Sequence, residues 1–148
     1  SLSKIIENNK KRAQILNDDN VFRDIKSKEQ YQTAWVNILF GKYDAARENL
    51  KKLKSIQGEI KDPTALYGFY GLSGMADLME GNYDGAIDNF LKGNENDIYF
   101  NYFKALALRA AGKEEEAKNE FIKVANVNFS NWNIAIVRRL ATKQLNKA

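Results

Sequence analysis

A chain that does chemistry needs a nucleophile, a base or a metal, and few residues here approach those roles. Ser73 stands in Gly71-Leu72-Ser73-Gly74, which looks like a nucleophile elbow. That turn requires glycine two residues after the serine, where this sequence has Met75, and a histidine to take the proton. The 148 residues contain no histidine and no cysteine. Cys nucleophiles, His-based triads, disulfides and thiolate or imidazole metal sites are excluded together. Asp84 and Asp88 lie one helical turn apart, and Glu114, Glu115 and Glu116 form a short run, so each set has carboxylates to share a cation. Both sets also fall at the start of helix-forming stretches, where carboxylates favour the helix dipole and water, and that solvated role is the expected one. The sequence therefore assigns no catalytic residue, no metal ligand and no cofactor, and reads as non-enzymatic.

Charge raises a different possibility. A net charge of +4 with a pI near 9.2, together with Trp35, Tyr99 and Tyr102, supplies the electrostatics and stacking surfaces of a single-stranded nucleic-acid binder. The charge is divided, however. Residues 1–61 hold 13 Lys/Arg against 8 Asp/Glu, residues 62–97 hold 1 against 7, and residues 98–148 hold 9 against 4. The segments carry +5, −6 and +5, whereas a nucleic-acid binder favours one continuous basic face. No nucleic acid is expected. No apolar run reaches the roughly 18 to 20 residues of a membrane span, and the amino terminus lacks the apolar stretch of a signal peptide, so no membrane insertion is expected. A chain without thiols survives in the cytoplasm or, after export, in the periplasm. Because Ser1 already stands inside a helical pattern, a mature form and a piece of a longer protein are both open.

The elements that must position any site are helices. Apolar residues recur at helical spacing throughout, with no alternating segment, and the only proline is Pro63. Helix starts are signalled by Ser27 with Gln30, by Asp62 before Pro63, by Asn96 and Asp97 before Ile98, and by Ser130 before Asn131. Stops are signalled by Gly58, Gly93 and Asn126 to Asn128, residue types that accept the left-handed cap. At 148 residues with 44% hydrophobic content, a single domain is expected.

Aligning Gly41, Gly81 and Gly112 gives GKYDAARENLKK, GNYDGAIDNFLK and GKEEEAKNEFIK. Five residues after each glycine comes Ala46, Ala86 or Ala117, nine after comes Leu50, Phe90 or Phe121, and eleven after comes Lys52, Lys92 or Lys123. Seven before lies a small residue, Ala34, Gly74 or Ala105. A glycine turn flanked by small residues, with a large apolar residue one turn further on, builds an antiparallel helical hairpin. Over residues 28 to 129 the pattern resembles the tetratricopeptide repeat, and Tyr70 matches the aromatic near the start of that repeat in the middle copy. The glycines stand 40 and then 31 residues apart instead of a constant 34 or so, which places the irregularity in the connections. The fold class that follows is an all-α solenoid of helical hairpins. Its parts are an N-terminal helix and connector (1–26), three repeats (28–57, 63–93, 98–126) and a capping helix (131–147). That last helix carries Trp132, Ile136, Val137, Leu140, Ala141 and Leu145 on one stripe, opposed by Arg138, Arg139, Lys143 and Lys147.

The resemblance implies a concave groove lined by the first helix of each hairpin. The corresponding residues are Lys28, Tyr31, Trp35, Ile38 and Leu39; then Gly68, Gly71, Met75, Leu78 and Met79; then Tyr99, Tyr102, Leu106, Arg109 and Ala110. Family members that hold a partner's terminal carboxylate do so with basic and amide groups, and here Tyr31 and Trp35 stand in those places, so that clamp is not carried over. An apolar, aromatic groove suits an amphipathic or hydrophobic segment of a partner protein. Gly68, Gly71 and Gly74 recur every three residues on one helix, either clearing a strip under a ligand or admitting close helix packing; Gly74 is expected to serve packing. The function read from the sequence is a protein-interaction module binding such a partner, with a structural or self-association element as the alternative.

Overall fold

The computed structural model describes residues 2–16, 18–128 and 131–147, without the side chains of Leu2, Ala13 and Leu16. Among them are eight α-helices and no strand: α1 (Leu2–Leu16), α2 (Asp19–Leu39), α3 (Tyr43–Gly58), α4 (Tyr67–Met79), α5 (Tyr83–Lys92), α6 (Ile98–Ala110), α7 (Glu114–Ala125) and α8 (Trp132–Leu145). The chain divides into two compact units, Ser1–Phe69 and Tyr70–Ala148. In the first, α1 packs on α2 and α2 on α3; in the second, α5 packs on α6, α6 on α7, and α8 on both α6 and α7. Apart from α6 with α8, these pairs are consecutive in sequence, which is the packing logic of an all-α solenoid. No helix of the described residues is long and apolar enough to cross a membrane.

Three turns repeat with the same geometry because each must reverse a helix within three residues. Gly41, Gly81 and Gly112 take φ of 69, 83 and 80°, the left-handed region where a side chain is costly. Each glycine N–H donates to the carbonyl three residues back (Ile38, Leu78, Arg109), and the next residue's N–H donates five residues back (Asn37, Asp77, Leu108). That pair of bonds closes the first helix of the hairpin and satisfies carbonyls it would otherwise leave orphaned. Ala46, Ala86 and Ala117, and on the first helices Ala34 and Ala105, are fully buried, while Leu50, Phe90 and Phe121 fill the space one turn on. A polar residue eight after each glycine also reaches the first helix. Asn49 accepts from Asn37 at 2.9 Å and donates to Gln30 at 2.9 Å; Asn89 donates to Asp77 at 2.7 Å; Glu120 pairs with Lys104 at 3.3 Å.

Several boundaries differ from the sequence reading. The helix of the first hairpin starts at Asp19, not near Ser27, because Asp18 accepts the N–H groups of Asn20 and Val21 and is the stronger cap. Ser27 lies inside α2 and its Oγ accepts from Gln57 at 3.2 Å. Asp62 and Pro63 open a turn in which Asp62 accepts from the Thr64 N–H and hydroxyl, and the helix begins only at Tyr67. Asp97 caps α6 as expected, accepting from the Phe100 N–H. Asn131 caps α8 through the Ile134 N–H, and Ser130 lies outside the described residues. Gly93 ends α5 with extended backbone, so the left-handed caps belong to the repeat glycines.

The stripe on α8 splits. Val137 and Ala141 are buried against the second unit, whereas Trp132, Ile136 and Leu140 are exposed. Residues four apart advance 40° around a helix, so the row 132, 136, 140 runs along the edge of the buried face that 137 and 141 occupy.

Candidate interaction faces

The glycines of α4 settle first, because each already faces a ring. A Cβ on Gly68 would lie 3.0 Å from the Tyr31 ring, one on Gly71 2.3 Å from Phe100, and one on Gly74 2.8 Å from Phe90. None clears space for a ligand; aromatic side chains of the same unit fill the room. Gly71 is therefore a packing residue, as is Met75, which is fully buried.

The predicted groove residues separate into two groups. Ile38 is buried in the α2–α3 hairpin, and Tyr102, at 5% exposure, sits in an aromatic cluster beside Phe103 (5.4 Å between ring centres) and Phe121 (5.9 Å). The expectation of Tyr102 as an exposed anchor fails because α6 is packed by α5, α7 and α8, leaving it few free positions. Burial pushes the Tyr102 phenol above the ordinary tyrosine value, with a hydrogen bond to Gln144 and the charge of Arg109 acting the other way. Arg109 is likewise engaged within the second unit. Its Nε and Nη2 donate to the Glu114 carboxylate at 2.9–3.2 Å, its Nη1 donates to Gln144 at 3.0 Å, and its plane lies 4.6 Å from the Phe121 ring centre. The guanidinium thus ties α6 to α7 and α8.

The second group remains partly open. Tyr31 and Trp35 on α2 are half-buried in the first unit; Leu78 on α4 and Tyr99 and Leu106 on α6 are half-buried in the second. Tyr99 is held edge-on by Phe100 (5.6 Å) and Phe103 (5.1 Å), which fixes its orientation. Large apolar side chains exposed beyond these residues include Ile5 and Ile15 on α1, Leu39 and Phe40 beside the first repeat turn, Leu91 on α5, and Trp132, Ile136 and Leu140 on α8. The α8 row was readable in principle from its spacing of four, set against Val137 and Ala141.

Of the carboxylates singled out in the sequence, Asp84 sits in the first turn of α5 and Glu114, Glu115 and Glu116 in that of α7. No group of three or more acidic residues able to hold a metal occurs among the described residues. Ser73 is buried on α4, away from any turn. In the second unit a cleft of about 460 Å³ is bounded by Arg109, Glu114, Lys118, Gln144 and Lys147, where both signs of charge meet and partly cancel. No protein-family model matches the chain, and neither a curated protein nor a solved structure shows significant similarity to it.

Proposed function

We propose that this chain is a non-enzymatic interaction module of tetratricopeptide type, which holds an amphipathic or hydrophobic segment of a partner protein against the first helices of its hairpins. The observation that carries this reading is what remains once the hairpin interiors are filled. Tyr31 and Trp35 in the first unit, and separately Leu78, Tyr99 and Leu106 in the second, are only half-buried, and Phe100 and Phe103 hold Tyr99 edge-on. An aromatic already oriented by its surroundings loses little freedom on binding, and large rings of this kind supply most of the energy of small interfaces.

Selection of a random displayed peptide library on the protein tests this. Enriched peptides should be apolar or amphipathic, and Trp35→Ala and Tyr99→Ala should each weaken them by about 2 kcal/mol, some 30-fold. The melting temperature should move little. If Trp35→Ala instead costs roughly 3 to 5 kcal/mol of stability, the ring is core and the reading gives way to a structural or self-associating role.

A further inference from the structure

The outer side of α8 is a second, separate surface that does not depend on the first-helix faces. Trp132 is 79% exposed, Ile136 42% and Leu140 36%, and their spacing of four puts them in one row along the helix. Arg139 and Lys143 are exposed on the same side, each seven residues after a member of the row. The 14 residues of α8 contain Arg138, Arg139 and Lys143 and no acid. Trp132 is the most exposed of the three, and Ile136 and Leu140 lie nearer the packed side of the helix.

We propose that this row docks one acidic amphipathic helix of another protein, whose apolar residues at spacings of three and four meet Trp132, Ile136 and Leu140 while its Asp or Glu residues pair with Arg139 and Lys143. An amphipathic helix laid against an apolar strip is a common mode of peptide recognition, and the row is about two turns long and one helix wide. A second copy of this chain fits poorly. Two α8 faces would set Arg139 and Lys143 against each other, and α1 brings Lys4, Lys10, Lys11 and Arg12 against a single Glu7. The acidic helix α5 exposes Tyr83 and Leu91, but Ile87 between them is buried, so it offers no continuous apolar row. The row is also small beside the roughly 800 Å² per partner that a stable protein pair buries.

The test is a displayed library of helices of α8's own length, with leucine fixed at one face and the flanking positions randomised among Glu, Lys and Ser. On the wild-type protein the flanks should become enriched in Glu, and binding of the winners should weaken with added salt. Trp132→Ala should weaken them by about ten-fold or more. Arg139→Glu with Lys143→Glu should transfer the enrichment to Lys. These residues are exposed, so the variants should keep the wild-type circular dichroism. Trp35→Ala should leave this binding unchanged, which separates it from binding at the first-helix faces. Enrichment without charge preference overturns the proposal. So does co-sedimentation of the protein with vesicles of equal phosphatidylcholine and phosphatidylserine that Trp132→Ala abolishes, or self-association abolished by the same variant.

Discussion

Replacing glycines by alanine, one at a time, turns the close contacts on α4 into a stability series. In a helix the exchange gains roughly 0.5 to 1 kcal/mol because glycine loses more backbone freedom on folding. The gain is realised only where a methyl group fits. At Gly71 the new Cβ would lie 2.3, 2.5 and 2.6 Å from three atoms of the Phe100 ring, so the ring must recede by about 1 Å to restore ordinary contact. Phe100 is buried and stands between the rings of Phe90 (6.4 Å) and Tyr99 (5.6 Å), which leaves it no free direction. Overpacking of this kind costs about 1 to 3 kcal/mol, and the upper part of that range applies. Gly71→Ala should therefore lose about 1 to 2 kcal/mol net. Gly74→Ala, at 2.8 Å from buried Phe90, should lose less, and Gly68→Ala, at 3.0 Å from the half-buried Tyr31 ring, should lose least of the three. Gly58 has nothing within 4 Å and ends α3, so Gly58→Ala should gain about 0.4 to 1 kcal/mol. Urea titrations with unchanged slopes would measure all four. If Gly71→Ala proves as stabilising as Gly58→Ala, Phe100 does not fill that face, and the glycine row returns to being a strip cleared for a ligand.

Three further outcomes follow from the packing. Ala86→Leu and Ala117→Leu should each cost about 1 to 3 kcal/mol in the same titration, since both Cβ atoms are fully buried where two helices touch, and neutrality at both would mean the repeats are misaligned. Arg109→Lys should cost on the order of 1 kcal/mol and speed hydrogen exchange in α8, because an ammonium cannot hold Glu114 by two bonds, reach Gln144 and stack on Phe121 together. Tyr102 should titrate above the ordinary tyrosine value in an ultraviolet titration. Its value is raised in the folded state, so the stability it contributes is complete below the ordinary tyrosine value and is lost as pH rises from there through the folded one; Tyr102→Phe should remove both the late titration and that part of the alkaline loss.

The hairpins were legible in the sequence because their constraints are local. A three-residue reversal demands positive φ at one place, and the alanine five residues on must let two backbones close, so Gly41, Gly81 and Gly112 arrive with Ala46, Ala86 and Ala117 in phase. The cross-helix polar residues Asn49, Asn89 and Glu120 stand eight after each glycine but share no single pairing rule, since Asn37 and Asp77 lie four before the glycine and Lys104 lies eight before. Ser27 with Gln30 is a sound capping pattern, yet α2 starts at Asp19 because the cap at Asp18 is the stronger one.

The groove was less legible for a reason that applies to any stacked helix. A first helix meets its own second helix on one side and other helices on another, so two separate sets of positions become buried and the free set is narrow. On α6 the residues Phe100, Tyr102, Ala105, Ala107 and Leu108 are all buried, leaving Ile98, Tyr99, Phe103 and Leu106 as the partly open large apolar positions. Spacing alone cannot tell Tyr99 from Tyr102, three residues and 60° apart on the helix. The same geometry acts in reverse on α8, which is packed on one side only. There a stripe that looked wholly buried is divided, with Val137 and Ala141 within the contact and Trp132, Ile136 and Leu140 at and beyond its edge. Exposure belongs to a pair of surfaces and not to a residue type, and so Tyr102, expected to line a groove, is buried in the second unit, while Trp132, expected on the stripe of a capping helix, is left exposed.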